Sequence, residues 1–390
     1  MTKRWHIVHV YKDYWPPVLG GIEKYISLLA RHQARQGHLV TVLVTNPAPF
    51  PRSLFTYQTQ EVVPGSGMLK VIRTARLVTV ASTPISPAQM WWQRRLHADV
   101  VHLHFPYPPG EVANYLWGQG RATVVTYHSD VIRQQRILQL YRPLLHRILS
   151  KVDAIVATSE AYIRSSPFLQ THRSKVRVIP LGIDVTPFRH IPSTTIQAVR
   201  HQYAAPHPEW PVVLFVGRLR YYKGVDVLLR AVTHLPRTWV WIVGRGPMEA
   251  AWRQLVQSLG LQQQVKFLGD VDEKTLPALY AAADVFVLPA VSRAEAWGLV
   301  LVEAMAAGIP VISTELGTGT SEVNVDGETG YVVPPGDVPA LVRALQTILS
   351  DPLRREQMGQ RARKRAFQYF DITRVAQQVD QLYMELLNRI

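Results

Sequence analysis

The stretch Arg293-Ala-Glu-Ala-Trp-Gly-Leu-Val-Leu-Val-Glu-Ala-Met-Ala-Ala-Gly-Ile-Pro310 separates two carboxylates, Glu295 and Glu303, by seven residues. The run between them reads as a buried helix entered through a glycine. Glu295 then belongs to the loop before the helix and Glu303 lies two turns into it, so one acid reaches beyond the helix start and the other takes a group lying along its first turns. Between them the unpaired backbone N–H groups around Gly298 and Leu299 face outward, at the helix end that suits a phosphate. A hydroxyl-rich ligand that carries phosphate satisfies all three features.

A chain of 390 residues is too long for one core and fits two domains. Hydrophobic residues at 47% with 18% charged are globular composition, which excludes disordered and fibrous classes. No apolar run approaches the roughly 18 to 20 residues that cross a bilayer, and Met1-Thr-Lys-Arg-Trp-His6 leads straight into a strand rather than a signal-peptide core. The expectation is a protein that stays on the side where it is made. With no cysteine, disulfides and thiolate metal sites are excluded, which fits a reducing cytosol.

The net charge of +15 is one-sided. Residues 1–190 carry 23 Lys and Arg against 9 Asp and Glu, and the remaining 200 residues carry 20 against 19. Such a field attracts an anionic partner, a membrane surface or a nucleic acid.

Trp5 to Val10 reads as a strand, and Tyr14-Trp-Pro-Pro-Val-Leu-Gly-Gly21 as a loop opening a helix from about Ile22 to Gly37. This geometry presents backbone N–H groups to an anion, and Gly20 and Gly21 admit a ligand close to the backbone. The G-x-G-x-x-G fingerprint is absent there, which argues against a nicotinamide enzyme. After a strand from His38 to Thr45, residues 47–87 read as long proline- and glycine-rich loops, with Arg73 and Arg76 as candidates to hold an acceptor phosphate. The pairs Trp91-Trp92 and Arg94-Arg95, and a basic helix from Ile132 to Lys151 with Arg133, Arg136, Arg142, His146 and Arg147, suit an interfacial position on anionic lipid. Strands at Asp99–Phe105 and Ala122–Tyr127 place histidines at their carboxyl ends, where open α/β sheets bind ligands. No Gly-x-Ser-x-Gly elbow surrounds Ser129, so nucleophilic serine chemistry is not expected. Pro180 to Pro192 reads as a hinge.

The second half restarts the strand–loop–helix pattern at Pro211 to Leu219, now with Arg218 at the strand end and Lys223 at the helix entrance. Both can point at a diphosphate, and charge-assisted bonds to phosphate are the strong class. Strand and helix alternate to the central stretch and beyond it, which indicates two parallel doubly wound sheets.

Glu-x7-Glu followed by Ala-Met-Ala-Ala-Gly-Ile-Pro-Val-Ile resembles the signature of the retaining GT-B glycosyltransferases of family 4. Gly217-Arg-Leu-x4-Gly224, His128-Ser-Asp130 and the Gly317-Thr-Gly-Thr320 loop are also similar to family segments. The resemblance implies a GT-B architecture, two Rossmann-like α/β domains facing across a cleft: an acceptor domain 1–187, to which a last helix from about 372 returns, and a nucleotide-sugar domain 188–371. It implies that Arg218 and Lys223 neutralise the leaving diphosphate, that Glu295 faces the sugar, that Glu303 holds the ribose, and that His128 contacts the transferred sugar, which favours it over His102 and His104. Gly20, Gly21, Gly298 and Leu299 would border the donor, and Val271 would floor the nucleobase.

The activity expected is metal-independent transfer of a hexose to a glycan, carried on a membrane lipid, at the cytoplasmic face. GDP-mannose is the first donor considered and UDP-hexoses follow, with no separate cofactor and no Asp-x-Asp metal clamp. The rival readings are a nucleotide-sugar epimerase or phosphorylase on the same fold, a catalytically idle membrane scaffold, and a nucleic-acid binder motivated by charge alone, although no nucleic-acid module is recognisable.

Overall fold

The computed structural model describes residues 4–18, 20–61, 63, 68–131 and 135–389, without the side chains of 135–137. The chain divides into two compact units, Met1–Gly182 with Ile372–Ile390, and Ile183–Asp371.

The first unit is built on strands β1 (His6–Val10), β2 (Leu39–Thr45), β3 (Tyr57–Glu61), β4 (Met68–Thr74), β7 (His97–Phe105), β8 (Gln119–Tyr127), β9 (Ala154–Ala157) and β10 (Val176–Val178), with β5 (Val78–Val80) and β6 (Thr83–Ile85) forming a separate hairpin. The sheet order is β10-β9-β8-β7-β1-β2-β4-β3, parallel except for the β3–β4 pair. Its central strands are apolar runs buried on both faces, as parallel sheets under helices require. The helix Gly21–Arg35 turns Ile26, Ala30 and Ala34 into one cluster with Val40, Val42 and Val44 of β2. The helix Ile372–Leu387 packs against it. Consecutive strands run outward from β1 on one side and from β7 on the other, so the topological switch point lies between β1 and β7.

Residues 47–87 depart from the expected loops, because four strands form there. The reason is composition: β3 is Tyr-Gln-Thr-Gln-Glu, polar and exposed at the sheet edge, so it carries no apolar run to read. In the basic helix, described from Gln135 to Lys151, Arg142, Arg147 and Lys151 are exposed, while Arg133 and the Arg136 side chain lie outside the described residues. Among the described residues no helix is long and apolar enough to cross a membrane.

The second unit has strands β11 (Val212–Val216), β12 (Trp239–Val243), β13 (Val265–Gly269), β14 (Val285–Leu288), β15 (Val311–Thr314) and β16 (Gly330–Val333), all parallel, in the order β13-β12-β11-β14-β15-β16. Counted from β11 this is the doubly wound order 3-2-1-4-5-6, with its switch point between β11 and β14. The helix Leu299–Ala307 is apolar nearly all round and buried between the sheet and its neighbouring helices. Glu303 is its fifth residue, so it stands just past the first turn rather than two turns in.

Candidate active site

At the second unit's switch point, the loops leaving β11 and β14 bring Lys223 and Glu295 together. Their Nζ and Oε2 atoms lie 2.5 Å apart with about a tenth of each side chain exposed. Burial alone would lower the Lys223 ammonium, but the carboxylate beside it, with Tyr222, carries the net shift upward, so Lys223 keeps its charge. Backbone geometry holds the two loops in register. Val291 N–H donates to the Tyr222 carbonyl at 2.8 Å. Gly224 turns at φ +66°, and a Cβ there would stand 2.0 Å from the Pro289 carbonyl oxygen, so only glycine allows this approach. Arg218, just past β11, is exposed and has no carboxylate partner among the described residues.

Glu295 is braced from behind. Thr318 Oγ1 donates to its carbonyl at 2.9 Å and Gly319 N–H to that of Ala296 at 2.9 Å, so the Gly-Thr-Gly-Thr loop fixes the acid's backbone. Gly298 takes φ +80° as the cap of the Leu299–Ala307 helix; Leu301 N–H closes onto the Gly298 carbonyl at 2.9 Å, while Leu299 N–H, at the first position, has no intrahelical partner. Tyr280 O–H donates to Glu303 Oε2 at 3.0 Å. Val271 is half-buried just after β13.

The sequence contains an Asp-x-Asp after all, at Asp270-Val271-Asp272. Asp272 accepts from Lys274 N–H, Thr275 N–H and Thr275 Oγ1, and Asp270 pairs with Arg245 at 3.5 Å. Turn formation and a surface ion pair account for both acids.

In the first unit, His128 follows β8 and is 3% exposed; its Nδ1 has no hydrogen-bond partner among the described residues. Its Nε2 meets His104 Nδ1 at 3.0 Å, and His104 Nε2 meets His9 Nδ1 at 3.1 Å. His9 Nε2 meets Gln33 Oε1 at 2.8 Å, and Gln33 Nε2 donates to Asp380 Oδ1 at 2.9 Å. His102 stacks on His104 with centroids 4.5 Å apart, and bonds Thr126 and Tyr383. Burial lowers His9 to about 4 and His128 to about 3, and holds His102 and His104 well below the usual range, so the column is neutral. Ligand nitrogens of His9, His102 and His104 lie within 4.8 Å of one another. The planes of His102 and His104, 21° apart, keep their in-plane lone pairs nearly parallel, which is the wrong orientation for a shared cation.

Only His128 of this column was expected to matter. His9, Gln33, His104 and Asp380 come from β1, two helices and β7, and no local motif links them.

Two expectations need correction. Arg73 is 7% exposed and spent internally: it donates to Thr59 Oγ1 and the Pro16 carbonyl and stacks on Tyr14 and Tyr57. Arg76 pairs with Asp13 and donates to Thr45. Both guanidiniums are thus engaged within the first unit. At the start of the Gly21–Arg35 helix, a Cβ on Gly20 would meet Glu23 Oε2 at 2.0 Å, so a buried carboxylate already sits where the Gly20-Gly21 loop was expected to receive an anion.

Doubly wound sheets with charged groups at a switch point suit a phosphate-bearing ligand such as a nucleotide, and comparison with known proteins says to which class the chain belongs. Residues 200–365 match the family described as glycosyl transferases group 1, and residues 19–186 match glycosyltransferase family 4. The chain is 40% identical over 369 residues to the D-rhamnosyltransferase WbpZ of Pseudomonas aeruginosa, covering 93% of this chain and 92% of that one. It is 34% identical to the O-antigen chain mannosyltransferase C of Escherichia coli, covering 98% of both. Among solved structures, a sucrose-phosphate synthase from Thermosynechococcus elongatus superposes with a TM-score of 0.81 at 26% identity, over 99% of this chain and 100% of that one. The chain belongs to glycosyltransferase family 4, with the GT-B fold. It is an enzyme, a hexosyltransferase.

Proposed function

We propose that the enzyme moves a hexose of manno configuration from its GDP donor to a glycan acceptor carried on a membrane lipid, with retention of configuration and without a metal. The Lys223–Glu295 pair at the switch point carries this reading. Without a ligand the two charges satisfy each other; a donor diphosphate would draw Lys223 to its own oxygens, with Arg218 beside it, and release Glu295 to the sugar hydroxyls. Glu303 would take the ribose hydroxyls. As the bond from the sugar's C1 to the phosphate oxygen breaks, the two cations meet the charge that builds on the leaving nucleoside diphosphate. The acceptor oxygen bonds to C1 on the same face and its proton passes to the departing phosphate. Glu23 over Gly20 suits an acceptor hydroxyl better than an anion.

The named relatives act on mannose and D-rhamnose, which differ at the sixth carbon, and this supports the manno configuration. The basic residues of the first unit support work at the cytoplasmic face of a membrane.

Purified enzyme with GDP-mannose, its 6-deoxy counterpart and UDP-glucose, a lipid-linked acceptor pool, and EDTA in a parallel arm tests the proposal. Nucleoside diphosphate release that depends on acceptor and survives EDTA is expected. Conversion of the donor sugar without acceptor would instead make the protein an epimerase.

A further inference from the structure

The histidine column has a direction, and the direction can be worked out from its far end. An ionised carboxylate only accepts hydrogen bonds, so Asp380 obliges Gln33 to turn its amide N–H₂ outward and its Oε1 toward His9. His9 must then carry its proton on Nε2, which leaves Nδ1 a lone pair that accepts from His104 Nε2–H. His104 Nδ1 is in turn a lone pair that accepts from His128 Nε2–H. Each neutral imidazole has one donor and one acceptor, so every link is determined by the one before it.

We infer that Asp380, Gln33, His9 and His104 are positioning residues that fix His128 as the Nε2–H tautomer and leave its Nδ1 as a hydrogen-bond acceptor for a ligand hydroxyl. That the ligand is a sugar rests on the function proposed above; the tautomer does not. A buried nitrogen with no partner costs free energy unless a ligand later supplies one, and a sugar O–H is such a partner. His102 stands outside the chain, because Thr126 and Tyr383 occupy both of its nitrogens.

The groups facing this chain are Tyr25 from the Gly21–Arg35 helix, which packs edge-on to His128 and His104, Tyr11 just after β1 against His104, His102 of β7 against His104 and His9, and Tyr383 beside Asp380 on its own helix. The tyrosine hydroxyls are held above their usual values by burial and stay neutral, so none is a second obligate acceptor beside Asp380; Tyr383 also hydrogen-bonds Gln33. Burial raises Asp380 to about 6. Protonation as pH falls through that value removes the obligate acceptor, and transfer is expected to decline with it.

The test sets two substitutions at the same buried place against each other. In Gln33→Glu/Asp380→Asn the acceptor and donor exchange places; the carboxylate introduced at position 33 still accepts from His9 Nε2–H, and the direction is kept. In Gln33→Lys an ammonium donates both to Asp380 and to His9 Nε2, so every link reverses and His128 is protonated on Nδ1. Long-range proton–nitrogen spectra of the full chain labelled at histidine, with the His128 signal assigned from His128→Gln, read the tautomer without any substrate. We expect Nε2–H in the wild type and the double variant, and Nδ1–H in Gln33→Lys. The turnover number should fall about tenfold or more in Gln33→Lys, as for one misdirected hydrogen bond, and remain within a few-fold of wild type in the double variant. A wild-type His128 protonated on Nδ1, or identical tautomers in the two variants, overturns the inference. Absence of transfer by the wild type from every donor defeats the functional proposal instead, while the spectra still decide the tautomer.

Discussion

The two units bury polar groups at their switch points by opposite means. In the second, Lys223 and Glu295 are charged and cancel each other across 2.5 Å. In the first, His9, His104 and His128 are uncharged and satisfy each other through shared protons. A buried ion pair depends on both members, since removing one leaves an uncompensated charge. A neutral column tolerates burial at low cost but is sensitive to any proton forced onto it. The first arrangement suits a ligand that brings charge, and the second suits one that brings hydroxyls.

The contrast is broken most severely at the ion pair. Lys223→Ala should lower turnover by about 10²- to 10³-fold, as expected when a charge-stabilising donor is lost, and destabilise the fold by about 3–5 kcal/mol because Glu295 is left unpaired. Thermal melts beside donor turnover measure both. The double variant Lys223→Met/Glu295→Leu should recover much of the stability and none of the transfer; recovered turnover would refute the assignment.

Next comes Glu303→Gln. Tyr280 can still donate to the amide oxygen, so the fold should hold while the donor KM rises about tenfold or more, the cost of one charged hydrogen bond. An unchanged KM would detach Glu303 from the donor.

The third prediction separates the units by acid. Unfolded histidine titrates near 6.5, whereas His9 and His128 in the fold protonate only near 4 and 3. As pH falls below 6.5 the unfolded chain takes up protons that the folded column refuses, so stability drops by about 1.4 kcal/mol per pH unit for each such histidine. Asp380, raised to about 6, and Glu111, raised to about 7, oppose this for two groups, but His102 and His104, also held well below their usual range, join His9 and His128 and outweigh them. Lys223, held above its usual value, does not titrate in this window. Urea midpoints at pH 7.5 and 5.5 should therefore report a destabilised first unit, and equal midpoints would refute the neutral column.

The smallest effect lies on the surface. Arg95 stacks on the exposed Trp91 at 4.0 Å. Arg94→Glu with Arg95→Glu should weaken binding to anionic vesicles by about 1 kcal/mol per charge removed and leave turnover on a soluble acceptor unchanged. Vesicle sedimentation at low and high salt checks this.

The alternation of apolar runs and glycine loops was enough to read both sheets, because parallel strands buried on two faces are continuous in sequence. The loops that carry Lys223 and Glu295 were legible for a related reason, each lying beside a strand end and a glycine. The β3–β4 edge was not legible, since a polar edge strand has no hydrophobic period. Nor was the fate of Arg73 and Arg76, whose partners Thr59 and Asp13 become neighbours only when the sheet forms. The histidine column was the least legible of all. Parallel pairing of β1 with β7 sets His9 beside His102, and β7 with β8 continues the row, so the column is written in strand register rather than in spacing.

The helix Ile372–Leu387 closes the first unit although nearly two hundred residues of the second are translated before it. During synthesis the second unit has all its strands in hand while the first still lacks Asp380 and Tyr383, the partners of Gln33 and His102. Chains truncated before residue 372 should therefore hold a folded second unit beside a first unit open to proteases.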